Sequence, residues 1–148
     1  LAFAGFGFLW INSLFFGIIN NKMEKEMFEN LVSQMTKELP KEFLKKLKNV
    51  AILIQDFPDE YQLKQGGYSE NKCLLGLYEG VPQIQRGYYN RALPDKITLF
   101  QKNIESIANN DPEAIKEIIK NTLWHEIGHH FGFTDEELNN KLKIKDKK

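Results

Sequence analysis

Residues 111–137 have the sequence DPEAIKEIIKNTLWHEIGHHFGFTDEE, and this stretch decides the fold. Asp111 is a favourable N-cap, and Pro112 suits the first position of a helix. Gly132 can adopt the left-handed backbone conformation that ends a helix. The stretch therefore predicts a long helix that runs from Pro112 to about Phe131.

All three histidines of the chain lie near the end of this helix, at His125, His129 and His130. Residues four apart on a helix lie one turn apart on the same face. His125 and His129 are therefore expected to converge on one zinc ion. Glu126 points about 60° away from His129 around the helix axis. This position predicts a general base that takes a proton from a water activated by the metal.

The apolar residues of the helix agree with this assignment, because they fall on the side opposite the two histidines. The stripe consists of Leu123, Trp124, Ile127 and Phe131. His130 lies at the edge of the stripe, so we expect a packed or backbone-bonded histidine there and not a metal ligand. Ile118 lies two turns before His125 and is expected to form an apolar wall under the site.

A catalytic zinc needs a third protein ligand and one open position. Gly132 follows His129 by three residues, and Asp135 follows by three more, which gives the pattern HExxHxxGxxD. Asp135 is our candidate for the third ligand, since the glycine lets the chain turn back towards the histidines. Its alternative role is to favour the start of the next helix. Glu136 and Glu137 compete as ligands, although Glu137 is also expected to form a capping box with Thr134.

Upstream of the long helix, the hydrophobic pattern predicts two helices, over 23–39 and 41–48, and three short strands, over 50–54, 74–79 and 97–100. The polar stretch 56–72 is expected to be a loop or irregular region. Residues 83–91 fit either a strand or a loop. The predicted fold class is α+β: a short mixed or antiparallel sheet packed with the active-site helix and flanking helices.

The two ends of the chain differ from its middle. Residues 1–19 carry no charge and are long enough to span a bilayer as a helix. We interpret 1–22 as an apolar leader or a membrane anchor, with Met23 as a plausible true start. The domain is then 23–142, followed by a basic tail over 143–148. If the segment is an anchor, Lys22 and Lys25 after it place the domain on the cytoplasmic side, and the leader interpretation also gives a cytoplasmic domain.

Composition limits the choice of partners and compartment. The chain has 148 residues with 20 basic and 20 acidic side chains, so no overall charge points to nucleic acid. A membrane partner is expected only if 1–19 acts as an anchor. The single cysteine, Cys73, cannot form an internal disulfide, which suits a reducing compartment. Because Cys73 precedes two leucines, we expect it to be buried.

The extended motif, together with residues 49–52, 74–82 and 93–100, resembles the small single-domain zincin-like metallopeptidases of bacteria, over most of 23–142. This resemblance implies a zincin-like fold, zinc as the cofactor, and a peptide or protein as the substrate. It also implies that His125, His129 and Asp135 are zinc ligands and that Glu126 is the catalytic acid and base.

A peptide substrate is expected to add along the edge of the strand at 74–79. Tyr88 or Tyr89 could then reach the oxyanion, although ordinary aromatic packing is the simpler role for both. Two other functions fit the same sequence. One is a zinc-binding protein of zincin fold that is not a peptidase and has a regulatory or interaction role. The other is an interaction module whose histidines are structural.

Overall fold

A computed structural model describes residues 22–39, 41–47, 49–67, 73–81 and 94–138. Along the chain its elements are α1 (Lys25–Lys37), α2 (Lys41–Lys46), β1 (Val50–Gln55), α3 (Glu60–Gln65), β2 (Gly76–Glu79), β3 (Asp95–Phe100), α4 (Gln101–Ile107) and α5 (Pro112–His130). A further helical turn covers 135–138.

The three described strands form one mixed sheet in the order β1-β3-β2. β1 runs parallel to β3, and β2 runs antiparallel to it. The central strand β3 is buried at every position except Lys96, as expected for a strand covered on both faces. The predicted α+β class with a short mixed sheet is confirmed.

The main core lies where α1 and α5 pack against the sheet. From α5 it takes four residues at a spacing of four, so that they form one continuous stripe: Ile115, Ile119, Leu123 and Ile127. Each fully buried side chain of this size contributes about 1.5–3 kcal/mol. One face of α5 is therefore held in the core, and the adjacent face carries His125 and His129.

The predicted ends of α5 are confirmed. The Asp111 carboxylate accepts a hydrogen bond from the Ala114 amide at 2.8 Å, as an N-cap should. After the helix, Gly132 has φ of +86°, which favours glycine. The capping box that begins at Thr134 is also present, because its amide donates to Glu137 Oε2 at 2.8 Å.

The expected loop over 56–72 is wrong in part, because α3 lies within it. Asp59 caps this helix by accepting a hydrogen bond from the Gln62 amide at 2.8 Å, while Gln62 Oε1 accepts one from the Asp59 amide at 3.0 Å. The Asp-x-x-Gln spacing was a usable signal. The helix has only one buried residue, the polar Gln62, so it shows no apolar period in the sequence.

Helix α4 was also missed by the sequence analysis. α4 begins directly after β3, and its N-cap residue Phe100 makes no side-chain capping bond, so the sequence has no start signal there.

The prediction that Cys73 is buried is wrong, because its side chain is exposed. Its neighbour Leu74 is buried, and successive side chains of an extended segment point to opposite sides.

Several predictions concern residues outside the described ranges: the apolar leader or anchor, the strand or loop at 83–91 with Tyr88 and Tyr89, and the basic tail. Among the helices that are described, none is long and apolar enough to cross a membrane.

β2 and α5 approach each other most closely at Gly76. A Cβ atom at this position would lie 2.5 Å from Thr122 Cγ2 and 3.2 Å from Glu126 Cγ. Only glycine lets the strand come this near to the helix. This close approach brings β2 alongside the histidine-bearing part of α5.

We predict that Gly76→Ala lowers the free energy of unfolding by about 1–3 kcal/mol, because the added methyl overpacks the contact with Thr122. Thr122→Ser removes the Cγ2 atom that the new methyl would meet, so it should restore part of the loss in the double variant. Urea unfolding of the two single variants and the double variant measures this coupling. If Gly76→Ala lowers the free energy of unfolding equally in the wild type and in the Thr122→Ser variant, the predicted contact with Thr122 is contradicted.

Candidate functional site

His125 and His129 face the same side of α5, as their spacing predicted. Their ring centroids lie 4.7 Å apart, and the rings are nearly perpendicular at 83°. Both side chains are half-buried, with 27% and 28% of their surface exposed. The pair is therefore accessible to a small ligand while its position is fixed by the helix.

Asp135 lies opposite the two histidines. Its Oδ1 is 2.9 Å from His125 Nε2 and 3.1 Å from His129 Nε2. The chain turns back at Gly132, and the amide of Phe133 then donates to the carbonyl of Gly128 at 3.0 Å. One ligand atom from each of the three residues lies within 4.8 Å of the others.

The chemistry of this donor set fits zinc, because imidazole nitrogens and a carboxylate oxygen are among its usual ligands. With each ligand atom about 2.0–2.1 Å from zinc, tetrahedral geometry places neighbouring ligand atoms roughly 3.3 Å apart. The two distances from Asp135 to the histidines are close to that value. In addition, His129 Nδ1 donates to the Phe133 carbonyl at 3.1 Å. A hydrogen bond of this kind fixes the ring and leaves Nε2 to bind the metal.

The two glutamates that competed with Asp135 are placed differently. Glu137 Oε2 is the acceptor for the amide of Thr134. Glu136 is exposed. Within the described part of the chain, the cluster that could hold a metal contains Asp135 and neither glutamate.

Glu126 lies beside the cluster but is almost completely buried, with 7% of its surface exposed. Its Oε2 accepts a hydrogen bond from the backbone amide of Tyr78, at 2.8 Å. Burial raises the pKa of this carboxyl above the usual glutamate range. The charges of His129 and His125 and the bond from the Tyr78 amide oppose this rise. A carboxylate with a raised pKa beside a metal-binding cluster is suited to accept and return a proton.

A cavity of about 570 Å³ contains the cluster. One wall is β2, including Leu77 and Tyr78, and the other is α5 with the segment that ends at Asp135. A smaller cavity of about 240 Å³ adjoins His125 and Glu126 and is lined by Cys73, Leu75 and Thr122 among others. Ile118, expected to form a wall of the site, packs against the main core instead.

His130 is buried and points away from the cluster, so it is packed as predicted. It bonds to a side chain, because Nδ1 donates to Asp95 Oδ2 at 2.9 Å. The Tyr78 hydroxyl donates to the same oxygen at 2.8 Å. Sequence reasoning missed Tyr78 and Asp95, because no local motif connects either residue with α5. Only the pairing of β2 with β3 brings the two together.

Comparison with known proteins identifies a family. A family model described as zincin-like metallopeptidase matches residues 47–143, which is more than half of the chain. The match begins after α2, so it is shorter at the N-terminal end than the expected resemblance over 23–142. A search of curated proteins finds no match.

We predict that the metal-free Glu126→Gln variant becomes more stable relative to the metal-free wild type as the pH rises. The folded protein holds the Glu126 proton more tightly than the unfolded chain, so the wild type loses stability as pH rises through the raised pKa. Glutamine does not titrate. The difference in Tm between the variant and the wild type, measured from pH 4.5 to 8, should therefore grow with pH.

The exposed Glu136 provides the control, because Glu136→Gln should give a difference in Tm that changes little over the same range. A pH-independent difference for Glu126→Gln would contradict the effect of burial on this carboxyl.

Proposed function

Because the chain belongs to the zincin-like metallopeptidase family, we propose that it is a zinc-dependent peptidase whose metal is held by His125, His129 and Asp135. The observation that carries this proposal is the cluster itself: two imidazole nitrogens and one carboxylate oxygen within 4.8 Å of one another. Three protein ligands leave the fourth position of a tetrahedral zinc open. When bound there, zinc acts as a Lewis acid that makes a coordinated water acidic and polarises a carbonyl group.

Glu126 is the general base of the proposed reaction. Its Oε2 accepts a hydrogen bond from the Tyr78 amide, which orients the carboxylate beside the cavity. It takes a proton from water as the water oxygen bonds to the peptide carbonyl carbon. It then returns the proton to the leaving nitrogen as the C–N bond breaks. The products are a carboxylate and an amine, and Glu126 ends the cycle in its starting state.

A peptide substrate is proposed to lie in the cavity of about 570 Å³, between β2 and the segment that ends at Asp135. This position agrees with the expected addition along 74–79. The Tyr78 amide is already bonded to Glu126, so the peptide must use other groups of the strand. The opposite wall of the cavity, formed by Gly132 to Thr134, can contact the peptide's side chains that point away from β2.

We predict that purified protein binds one zinc ion and that Asp135→Ala weakens this binding by more than about 100-fold. Loss of a mere supporting contact costs 10–100-fold, and loss of a direct ligand should cost more. Competition with a chromophoric chelator measures the affinity. Glu136→Ala is the matched control, because it removes an exposed acid one residue away and should leave the affinity within about twofold. Equal losses in the two variants would contradict the assignment of Asp135.

We further predict that the zinc-loaded protein cleaves members of a diverse peptide mixture and that Glu126→Gln reduces the rate by about 10²–10⁴-fold, the usual contribution of a general base. Mass spectrometry of the mixture identifies the products, and the best substrate then gives kcat and KM. Glu126 is outside the proposed ligand set, so the variant should still bind one zinc ion.

Two results would argue against this function. Equal cleavage by the wild type and Glu126→Gln would point to a contaminating peptidase. Zinc binding without cleavage of any peptide at high protein concentration would favour the zinc-binding protein that is not a peptidase.

A further inference from the structure

A buried polar network lies behind the metal-binding face of α5. His130 and Asp95 are both 1% exposed, and they are joined by the 2.9 Å bond between Nδ1 and Oδ2. The Tyr78 hydroxyl donates to the same carboxylate oxygen. A side chain at Gly80 would collide with Asp95 and the Tyr78 hydroxyl, so the strand lies directly against them. Such a closely packed, buried network holds its members in defined positions.

Tyr78 connects this network with the general base. Its hydroxyl is bonded to Asp95, and its backbone amide is bonded to Glu126 Oε2. This amide points from β2 towards α5 and not towards the neighbouring strand β3. Any shift of Tyr78 along or around the strand would therefore move the donor that orients the Glu126 carboxylate.

The network also fixes the rotation of α5. Glu126 and His130 are four residues apart, so they lie on one face of the helix, and both are bonded to the sheet. His125 and His129 each precede one of these residues and point about 100° away. Apolar packing is not directional, whereas hydrogen bonds are. The two bonds to the sheet therefore set the direction in which both histidines point.

We propose that Tyr78, Asp95 and His130 are positioning residues that orient Glu126 and the histidine face of α5 for catalysis. This inference rests on the proposed function. None of the three belongs to the metal-binding cluster, and each acts through the residues that it holds. A network that served stability alone would affect Tm and leave the rate constant unchanged.

The test is Tyr78→Phe in the full, zinc-loaded protein, since this change removes one hydroxyl and leaves the amide in place. With the best peptide from the mixture, kcat should fall about 10–100-fold, the usual effect of losing a supporting contact. KM and zinc stoichiometry should stay within twofold. An unchanged kcat, whatever the change in Tm, would overturn the proposal.

Tyr61 provides the matched control. It is an exposed tyrosine whose hydroxyl accepts a hydrogen bond from Gln65 Nε2 on the surface of α3. Tyr61→Phe removes the same group and should leave kcat unchanged. Asp95→Asn is a second test of the network, because it weakens the shared acceptor while keeping its size. It should lower kcat in the same way without loss of zinc.

A measurement without substrate separates this inference from the proposed function. Acetohydroxamate binds a metal through its two oxygens and forms a hydrogen bond with a nearby carboxylate. Calorimetry on the zinc-loaded protein should show weaker binding by about fivefold or more in both Glu126→Gln and Tyr78→Phe. If the wild type cleaves no peptide, the proposed function fails, and the calorimetric affinities for acetohydroxamate alone decide the inference. Binding by Tyr78→Phe as tight as that of the wild type would overturn it.

Discussion

The rotation of helix α5 about its own axis is the constraint on which the site depends. One face of the helix is buried in the core through Ile119 and Leu123, and the next face must present two histidines to the cavity. A rotation of about 100° that carried each histidine to the position of the residue after it would bury both, because Glu126 and His130 are buried. The apolar stripe sets this angle approximately, and the bonds from Glu126 and His130 to the sheet set it more narrowly.

The site lowers stability locally, and the core offsets that cost. Burying the Glu126 carboxyl removes it from water and raises its pKa, which disfavours the ionised form that a base requires. The bond from the Tyr78 amide recovers part of this cost. In a domain this small, a continuous row of buried α5 side chains keeps the helix in place while one charged group is held out of water.

The features that sequence could predict are local ones. The ends of α5, the shared face of His125 and His129 and the turn at Gly132 all depend on residues within a few positions of each other. Asp135 was a candidate for the same reason, because a glycine at the helix end limits where the chain can go next. Helix α3 was missed because its one buried residue is the polar Gln62, and α4 because no capping side chain marks its start.

The features that sequence could not predict depend on contacts between distant parts of the chain. Glu126 and the amide of Tyr78 are 48 residues apart, and His130 and Asp95 are 35 apart. The antiparallel register that pairs Tyr78 with Ile97 brings these groups together. That register follows from how the sheet packs on α5, which includes the close approach at Gly76. No spacing within the sequence encodes it.

Zinc K-edge X-ray absorption on the protein loaded with one equivalent of zinc tests the proposed ligand set most directly. The account predicts a first shell of nitrogen and oxygen at about 2.0–2.1 Å, with the outer scattering of two imidazole rings. Scattering from sulfur at about 2.3 Å would place Cys73 on the metal. That result, or the signal of a single imidazole, would contradict a site built from His125, His129 and Asp135.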